Sequence, residues 1–305
     1  MRAPLVLSLF PGADLLGRGF EAEGYCVVRG PEKILGGDVR DFHAPAGHFA
    51  GVIGGPPCQD FSSANRNGAT GEGLELIAEF VRVVIEAEPE WFLMENVPSV
   101  PDLAGLMWRE GLFRDIQRFS VNPREFGLPQ NRWRSFQFGS RDGAGVVVRR
   151  GVTGEDALPL GFTSAKADTR KVPFTRAARA VLATEGRRKG RRTFDDVCDL
   201  QGLPRGLEFP GLTKAGKYSV VGNGSVPVSL ARVIARAITE RQETRWQRVC
   251  VCQCGQPVRE GTTLFDAACR KRMERRRSFF RASQPAELPG VTHRGAAAVA
   301  GSLFP

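Results

Sequence analysis

The sequence predicts an α/β fold, a parallel sheet with helices on both faces, and three observations carry that reading. Short apolar runs alternate with helix-length amphipathic segments through residues 1–140. Alternation of that kind calls for crossover connections, and crossovers make parallel neighbours. The runs carry few charges, as strands buried on both faces do. Polar or turn-forming residues follow three of the runs at once, where parallel sheets of this type place their ligands.

Taken in order, Leu5–Phe10 reads as the first strand and Pro11-Gly12 turns the chain. Asp14–Glu23 follows as a helix with Leu15, Leu16, Gly19 and Phe20 near one face. Tyr25–Val28 is a second strand and Gly51–Ile53 a later one. Leu74–Glu88 repeats apolar residues at helical spacing, and Pro89 ends it. Trp91–Met94 is the next strand, followed by Glu95-Asn96-Val97-Pro98. The polar punctuations are therefore the turn after Phe10, the loop holding Cys58, and Glu95-Asn96.

Residues 1–140 read as the main domain, and residues 141–192 as a small loop-rich region, periodic only over Thr175–Thr184. The main domain resumes over 193–240, closing on a helix at Val228–Ile238. Residues 241–282 form a basic, cysteine-containing segment, and 283–305 a Pro/Ala/Gly-rich tail without the apolar content for a core. No apolar run reaches the roughly 18 residues of a membrane helix. The opening MRAPLVLSLF lacks a small-residue cleavage pattern and reads as strand rather than signal. Seven cysteines, an odd number, suit reduced thiols and a cytoplasmic protein.

The net charge of +10 is unevenly placed. Residues 241–281 hold eleven Lys/Arg against four Asp/Glu, which leaves about +3 for the rest of the chain. Such a block suits a polyanion or stands as a solvated basic tail.

Three groups point to chemistry. Cys58 sits in GGPPCQDFSS, a loop stiffened by two prolines at a strand end. A cysteine is more often packed than reactive, but a thiolate held in such a loop is a strong nucleophile. Glu95 ends the apolar run Trp91-Phe92-Leu93-Met94, where burial would raise its pKa and keep a proton available for a ring nitrogen. In Gln130-Asn131-Arg132-Trp133-Arg134, alternation puts Gln130, Arg132 and Arg134 on one face of an extended segment. The two arginines could bind phosphate, a base carbonyl or a carboxylate.

In order along residues 5–240, these motifs resemble the DNA (cytosine-5)-methyltransferase family, which uses S-adenosyl-L-methionine and has a Rossmann-like methyltransferase sheet. Phe10-Pro11-Gly12 looks like its first cofactor loop and Gly37-Asp38-Val39 like its adenine-contacting motif. GGPPCQDFS resembles the catalytic Pro-Cys loop, Glu95-Asn96-Val97 the Glu-Asn-Val motif, and Gln130-x-Arg132-x-Arg134 the Gln-x-Arg-x-Arg motif. Asp199–Pro204 and Gly222–Pro227 resemble the last two motifs. The resemblance implies that Cys58 attacks cytosine C6, Glu95 engages N3 and Arg134 contacts the flipped base or its backbone. It assigns Arg132 to support of the catalytic loop, Asn96 to holding the Pro-Cys loop, and Gln130 to the same site. Cofactor contacts would come from Phe10, Pro11, Gly12, Ala13, Asp14, Leu15, Glu32, Asp38, Val39, Gly55, Pro56, Asn223, Ser225 and Val226.

The chain departs from the family pattern at three places. Asp14 stands where the first loop usually has its second glycine, so the methionine end of the cofactor would be approached differently. Glu32, after Pro31, is the acid chosen for the cofactor ribose. Gly224-Ser225 makes the last motif one residue longer.

By the same resemblance residues 141–192 read the target sequence, and their arginines and lysines would grip phosphates. Cys250, Cys252, Cys254 and Cys269 either hold one structural zinc as a degenerate ribbon or are free thiols beside a basic helix. The implied partner is double-stranded DNA, acted on by a monomer with no membrane association, with or without a partner restriction endonuclease. Two further readings stay open: RNA as substrate, although the Cys-Phe-Thr tripeptide of the tRNA-methylating branch is absent, and a nucleic-acid-binding protein without catalysis.

Overall fold

The computed structural model describes residues 3–61, 70–103, 113, 116–149, 178–187, 191–241 and 271. The chain divides into two units, Met1–Trp246 and Gln247–Pro305.

Among the described residues, the first unit holds eight strands and five α-helices. The strands are β1 (Leu5–Leu9), β2 (Cys26–Arg29), β3 (Gly51–Gly54), β4 (Trp91–Asn96), β5 (Ile116–Val121), β6 (Gln130–Asn131), β7 (Arg134–Ser140) and β8 (Ala178–Arg179). The helices are α1 (Leu15–Ala22), α2 (Glu72–Ala87), α3 (Phe194–Gln201), α4 (Lys214–Asn223) and α5 (Val228–Thr239). Six strands form one sheet in the order β2-β1-β3-β4-β7-β5, while β6 and β8 pair separately.

The sheet is mixed rather than purely parallel. β2, β1, β3 and β4 run parallel, but β7 runs antiparallel to both β4 and β5. The physical reason lies in the connection. β5 is joined to β7 through the 3₁₀ turn Pro123–Phe126 and the two-residue β6, with no α-helix between them, and without a helical crossover the strand returns antiparallel. Of the periodic stretch Thr175–Thr184, the described part from Ala178 holds the short strand β8, and the 3₁₀ turn Glu185–Arg187 follows it.

Strand alternation explains both faces of the sheet. Leu7, Leu9, Val52, Phe92 and Met94 point to α2, where Leu76, Ile77, Phe80, Val83 and Val84 meet them. Val6, Ile53, Trp91 and Leu93 point the other way, with Phe136 and Phe138, onto α1 and α5. Helices on both faces are thus dictated by strands whose apolar side chains alternate between two buried faces. α1 and α5 approach closely: a Cβ built on Gly19 would lie 2.3 Å from Ala231 Cβ. A third cluster, including Ala13, Leu15, Val197, Tyr218, Val221 and Val228, packs α3 and α4 against the turn after β1.

Asp14 is the left-handed N-cap of α1 (φ 51°). Its buried carboxylate accepts from Ser8 Oγ at 2.8 Å and Gly17 N at 3.1 Å, and Arg29 Nε lies 2.8 Å away. The departure from glycine at this position is therefore occupied in closing the first helix turn onto β1 and β2. Burial pushes the Asp14 carboxyl above the usual carboxylate range despite these partners.

Candidate active site

The carboxyl ends of β1, β3 and β4 open on one cavity of about 200 Å³. Its wall includes Phe10, Pro11, Gly12, Asp14 and Leu15 after β1, and Glu32, Asp38 and Val39 after β2. Gly55, Pro56 and Cys58 line it after β3, Glu95 and Asn96 from β4, Arg134 from β7, and Asn223 and Ser225 from the end of α4. Segments far apart in sequence thus meet in one space.

Glu95 and Asn96 belong to β4 itself, not to a loop after it: they pair with Phe136 and Ser135 of β7. The antiparallel neighbour is what extends the strand. It also holds the acid rigidly, because Glu95 is only 5% exposed. Burial pushes its carboxyl up, and the Arg134 guanidinium, with Nε 2.8 Å from Oε1, opposes that rise. The acid comes so close to the β3 loop that a Cβ on Gly55 would be 2.9 Å from Glu95 Oε2.

Cys58 is half-buried and a free thiol. Burial raises its pKa; Arg134 and, more weakly, Arg132 lower it, while Glu95 raises it. The thiol is thus poised by the charge state of the neighbouring acid. Asn96 Nδ2 donates to Pro56 O at 3.0 Å, which ties the proline loop to β4, and Asn96 Oδ1 accepts from Val97 N at 2.8 Å. Asp60, two residues past the thiol, accepts from Thr70 N and Gly73 N, both at 2.9 Å. Those bonds lower its pKa and place a carboxylate at the start of α2, whose Gly71 cap brings no side chain.

Gln130, Arg132 and Arg134 do not act as one face. The chain leaves β6 after Asn131 and enters β7 at Arg134, so the alternation breaks between them. Of the three, Arg134 reaches the cavity. Gln130 is buried and donates to Leu200 O and Gln201 Oε1. Arg132, 3% exposed, donates to Val181 O (2.7 Å), Gly222 O (3.1 Å), Ser225 O (2.9 Å) and Gly224 O. It therefore clamps the 222–225 segment rather than the Cys58 loop. Burial pushes this guanidinium down to about 9, and four carbonyl acceptors keep it cationic near neutral pH.

Ala13 and Val226 are buried in apolar clusters and do not line the cavity. Conversely, the cavity wall holds Ile34, Arg40, Leu76 and Val220, which the sequence reading missed. Leu76 and Val220 are apolar positions of helices, with no signal separating a cavity wall from a core. Arg40 lies two residues past Asp38 and pairs with it, Nη1 to Oδ2 at 3.1 Å, which a charge-neighbour scan could have found.

The cavity suits a nucleoside-bearing cofactor. Glu32 Oε2 accepts from Gly12 N at 2.7 Å, which sets a carboxylate at the mouth of the first loop. Phe10, Ile34, Leu76 and Val220 supply apolar walls, and Asp38 stands among them with an acceptor. Phe10 and Gly12 both adopt positive φ (54° and 53°), folding the loop back so that its backbone faces the space. No group of three His, Cys, Asp or Glu gathers as a metal site among the described residues. Cys250, Cys252, Cys254 and Cys269 lie outside them. No described helix is long and apolar enough to cross a membrane.

A mostly parallel sheet with helices on both faces, and a thiol, a buried acid and an arginine on one cavity at its carboxyl edge, defines a Rossmann-like α/β class. The C-5 cytosine-specific DNA methylase profile matches residues 25–157. Type II methyltransferase M.NgoPII of Neisseria gonorrhoeae is 23% identical over 333 residues, covering 78% of this chain and 96% of that protein. M.FnuDI of Fusobacterium nucleatum is 27% identical over 160 residues, 45% of this chain and 46% of the relative. Among solved structures, an E. coli prophage-encoded chain described as a DNA modification methyltransferase superposes with TM-score 0.56 at 18% identity, over 78% of this chain and 99% of that one. Entamoeba histolytica methyltransferase EhMeth gives 0.55 at 11% identity, over 79% and 99%; at such identities these two speak for the fold. Residues 25–157 are thus similar to the C-5 cytosine-specific DNA methylases, and the fold around them to solved methyltransferases.

Proposed function

We propose that this protein methylates C5 of cytosine in double-stranded DNA, with S-adenosyl-L-methionine as methyl donor. One observation carries the reading: Cys58, Glu95 and Arg134 share a single cavity with the loops after β1 and β2. A thiol and a buried acid on one wall suit attack on a pyrimidine ring. The target carbon lies inside the duplex stack, so the base must be flipped out, at a cost of a few kcal/mol.

In this reading the Cys58 thiolate adds to C6 of the flipped cytosine. Glu95, held partly neutral by burial, gives a proton or a hydrogen bond to N3, so negative charge does not build up on the ring. C5 becomes nucleophilic as a result. Arg134 orients Glu95 and offers its remaining N–H groups to the base or its phosphate. Once C5 is substituted, a base removes its proton and the C6–sulfur bond breaks, returning the thiolate. Asn96 and the prolines keep the Cys58 backbone in place throughout.

Bound S-adenosyl-L-methionine supplies an electrophilic methyl group. Glu32 would take its ribose hydroxyls, Asp38 and Val39 its adenine, and the Phe10–Leu15 loop with Asn223 its remaining contacts. Arg132 acts at one remove, by fixing the carbonyls of 222–225. The enzyme works in the cytoplasm in this reading, and its relatives' type II character makes a restriction endonuclease partner the natural counterpart.

The test is to express the chain and a Cys58→Ser variant in a host lacking cytosine methylation, then bisulfite-sequence DNA and RNA. New 5-methylcytosine at a fixed DNA sequence, absent from the variant, is the expected result. Unmodified DNA would overturn the reading, and marks in RNA alone would replace the substrate.

A further inference from the structure

Arg82, on α2, is half-buried and does not line the cavity, yet its guanidinium joins the helix to the cavity wall. Nε donates to Glu79 Oε2 and Nη1 to Glu86 Oε1, both at 2.8 Å. Nη2 reaches a different segment and donates to Val39 O at 2.8 Å and Phe42 O at 3.0 Å. Those two carbonyls bracket the 3₁₀ turn Val39–Asp41, and Asp38, Val39 and Arg40 all line the cavity. A three-residue 3₁₀ turn has little stability of its own. Its cap is the Asp38 carboxylate, which accepts from Arg40 N at 2.9 Å. A further tie to α2, the pair Arg40–Glu75 at 3.4 Å, is exposed and screened by solvent. α2 itself is a firm anchor, because Leu76, Ile77, Phe80, Val83 and Val84 are buried against the sheet.

We infer that Arg82 is a positioning residue for the adenine end of the cofactor site, setting the place of Asp38 and Val39 by holding the carbonyls of Val39 and Phe42. The inference rests on the S-adenosyl-L-methionine reading for the identity of the ligand, though the clamp itself does not. Glu79 and Glu86, on neighbouring turns of α2, fix the plane of the guanidinium. A planar fork so held loses little freedom for each further bond it makes, and a charged donor strengthens its bonds to the two carbonyls. The wall therefore follows α2 instead of behaving as a loose connection. The opposite wall uses the same device: Arg132 holds the carbonyls of Gly222, Gly224 and Ser225 around the cavity residues Asn223 and Ser225. A wall ordered beforehand spares the ligand the cost of ordering it, so loss of the clamp is read as weaker binding.

The experiment is calorimetric titration of the full chain with S-adenosyl-L-homocysteine, alongside amide hydrogen exchange over residues 37–42. In Arg82→Met, which keeps the apolar stem, Kd should rise about tenfold and the 37–42 amides should exchange faster. Arg82→Lys, which keeps the charge without the fork, should fall between wild type and Arg82→Met. In methylation assays KM for S-adenosyl-L-methionine should rise by more than kcat falls. Arg232→Met gives up the 2.9 Å pair with Glu23 between α5 and the end of α1; it controls for lost stability alone and leaves Kd near wild type. If Arg82→Met does not fold, Glu86→Gln, which frees the plane of the guanidinium but keeps its donors, stands in with a smaller shift in the same direction. An unchanged Kd, or a rise matched by Arg232→Met, overturns the inference. A wild-type protein that binds no S-adenosyl-L-homocysteine would instead overturn the proposed function; faster exchange in Arg82→Met would then leave the clamp standing, and unchanged exchange would remove it as well.

Discussion

The Cys58 loop with β4 and the 130–134 segment are both short, polar and rich in family-like motif, yet they differ in what their residues do. In the first, each polar side chain singled out in the sequence faces the cavity or its supporting loop. Cys58 and Glu95 line the space, and Asn96 fastens one to the other. In the second, three residues that read as one face divide. Arg134 enters the cavity, while Gln130 and Arg132 are consumed by carbonyls and an amide from α3, the 181 region and the 222–225 turn. The difference teaches that a motif's spacing identifies which residues matter without saying whether they work on a ligand or on the protein.

Substitutions can break that comparison, beginning with the largest effect. Cys58→Ala is expected to abolish methylation, by at least about a thousandfold, with stability changed by no more than about 1 kcal/mol; single-turnover assays and thermal melting measure the two. Arg132→Met should do the reverse first. It leaves four carbonyls without donors and costs about 3 kcal/mol or more of folding stability, read by urea unfolding. Arg134→Met, two residues on, should lose activity about a hundredfold with a smaller fall in the urea midpoint than Arg132→Met, because Glu95 can take up a proton when its partner goes. Equal stability losses in the two arginine variants would erase that distinction.

Smaller effects sharpen it. Asn96→Ala removes one donor to Pro56 O and should cost about 1 kcal/mol, with a fall in kcat exceeding any rise in KM, since the loop rather than a ligand contact is loosened. The smallest effect concerns thiol ionisation. Alkylation of Cys58 by iodoacetamide, followed by mass spectrometry, should rise with pH to a midpoint above that of an ordinary thiol, because burial raises its pKa. Glu95→Gln removes a negative neighbour and should move the midpoint to lower pH. Arg134→Met removes a positive one and should move it higher. A midpoint unmoved by either change would separate the thiol from the acid.

Much of the fold was legible in the sequence for identifiable reasons. β1, β3 and β4 carry apolar runs, so buried strands were readable from them, and α2 from its 3.6-residue repeat closed by Pro89. The reversal of β7 was not readable. Direction depends on the length and shape of the β5–β7 connection, and a strand's residues look alike either way. Glu95 was placed past its strand because the apolar run stops at Met94; the pairing with Phe136 on a distant strand extended it. Asp14 looked like a cofactor-loop departure, but Ser8, Gly17 and Arg29 converge on its carboxylate, a cap that no local pattern revealed.

What the sequence by itself determined was the class of fold and the chemistry available. Apolar periodicity selects strands and helices locally, and only a few residue types can act as nucleophile, acid or anion clamp. Only the tertiary structure decided which of those residues meet. Whether Arg132 grips a ligand or the backbone of Gly222–Ser225, and whether Arg134 reaches Glu95, depend on contacts between segments remote in the chain. Such contacts are fixed by the packing of whole elements, and no local pattern encodes them.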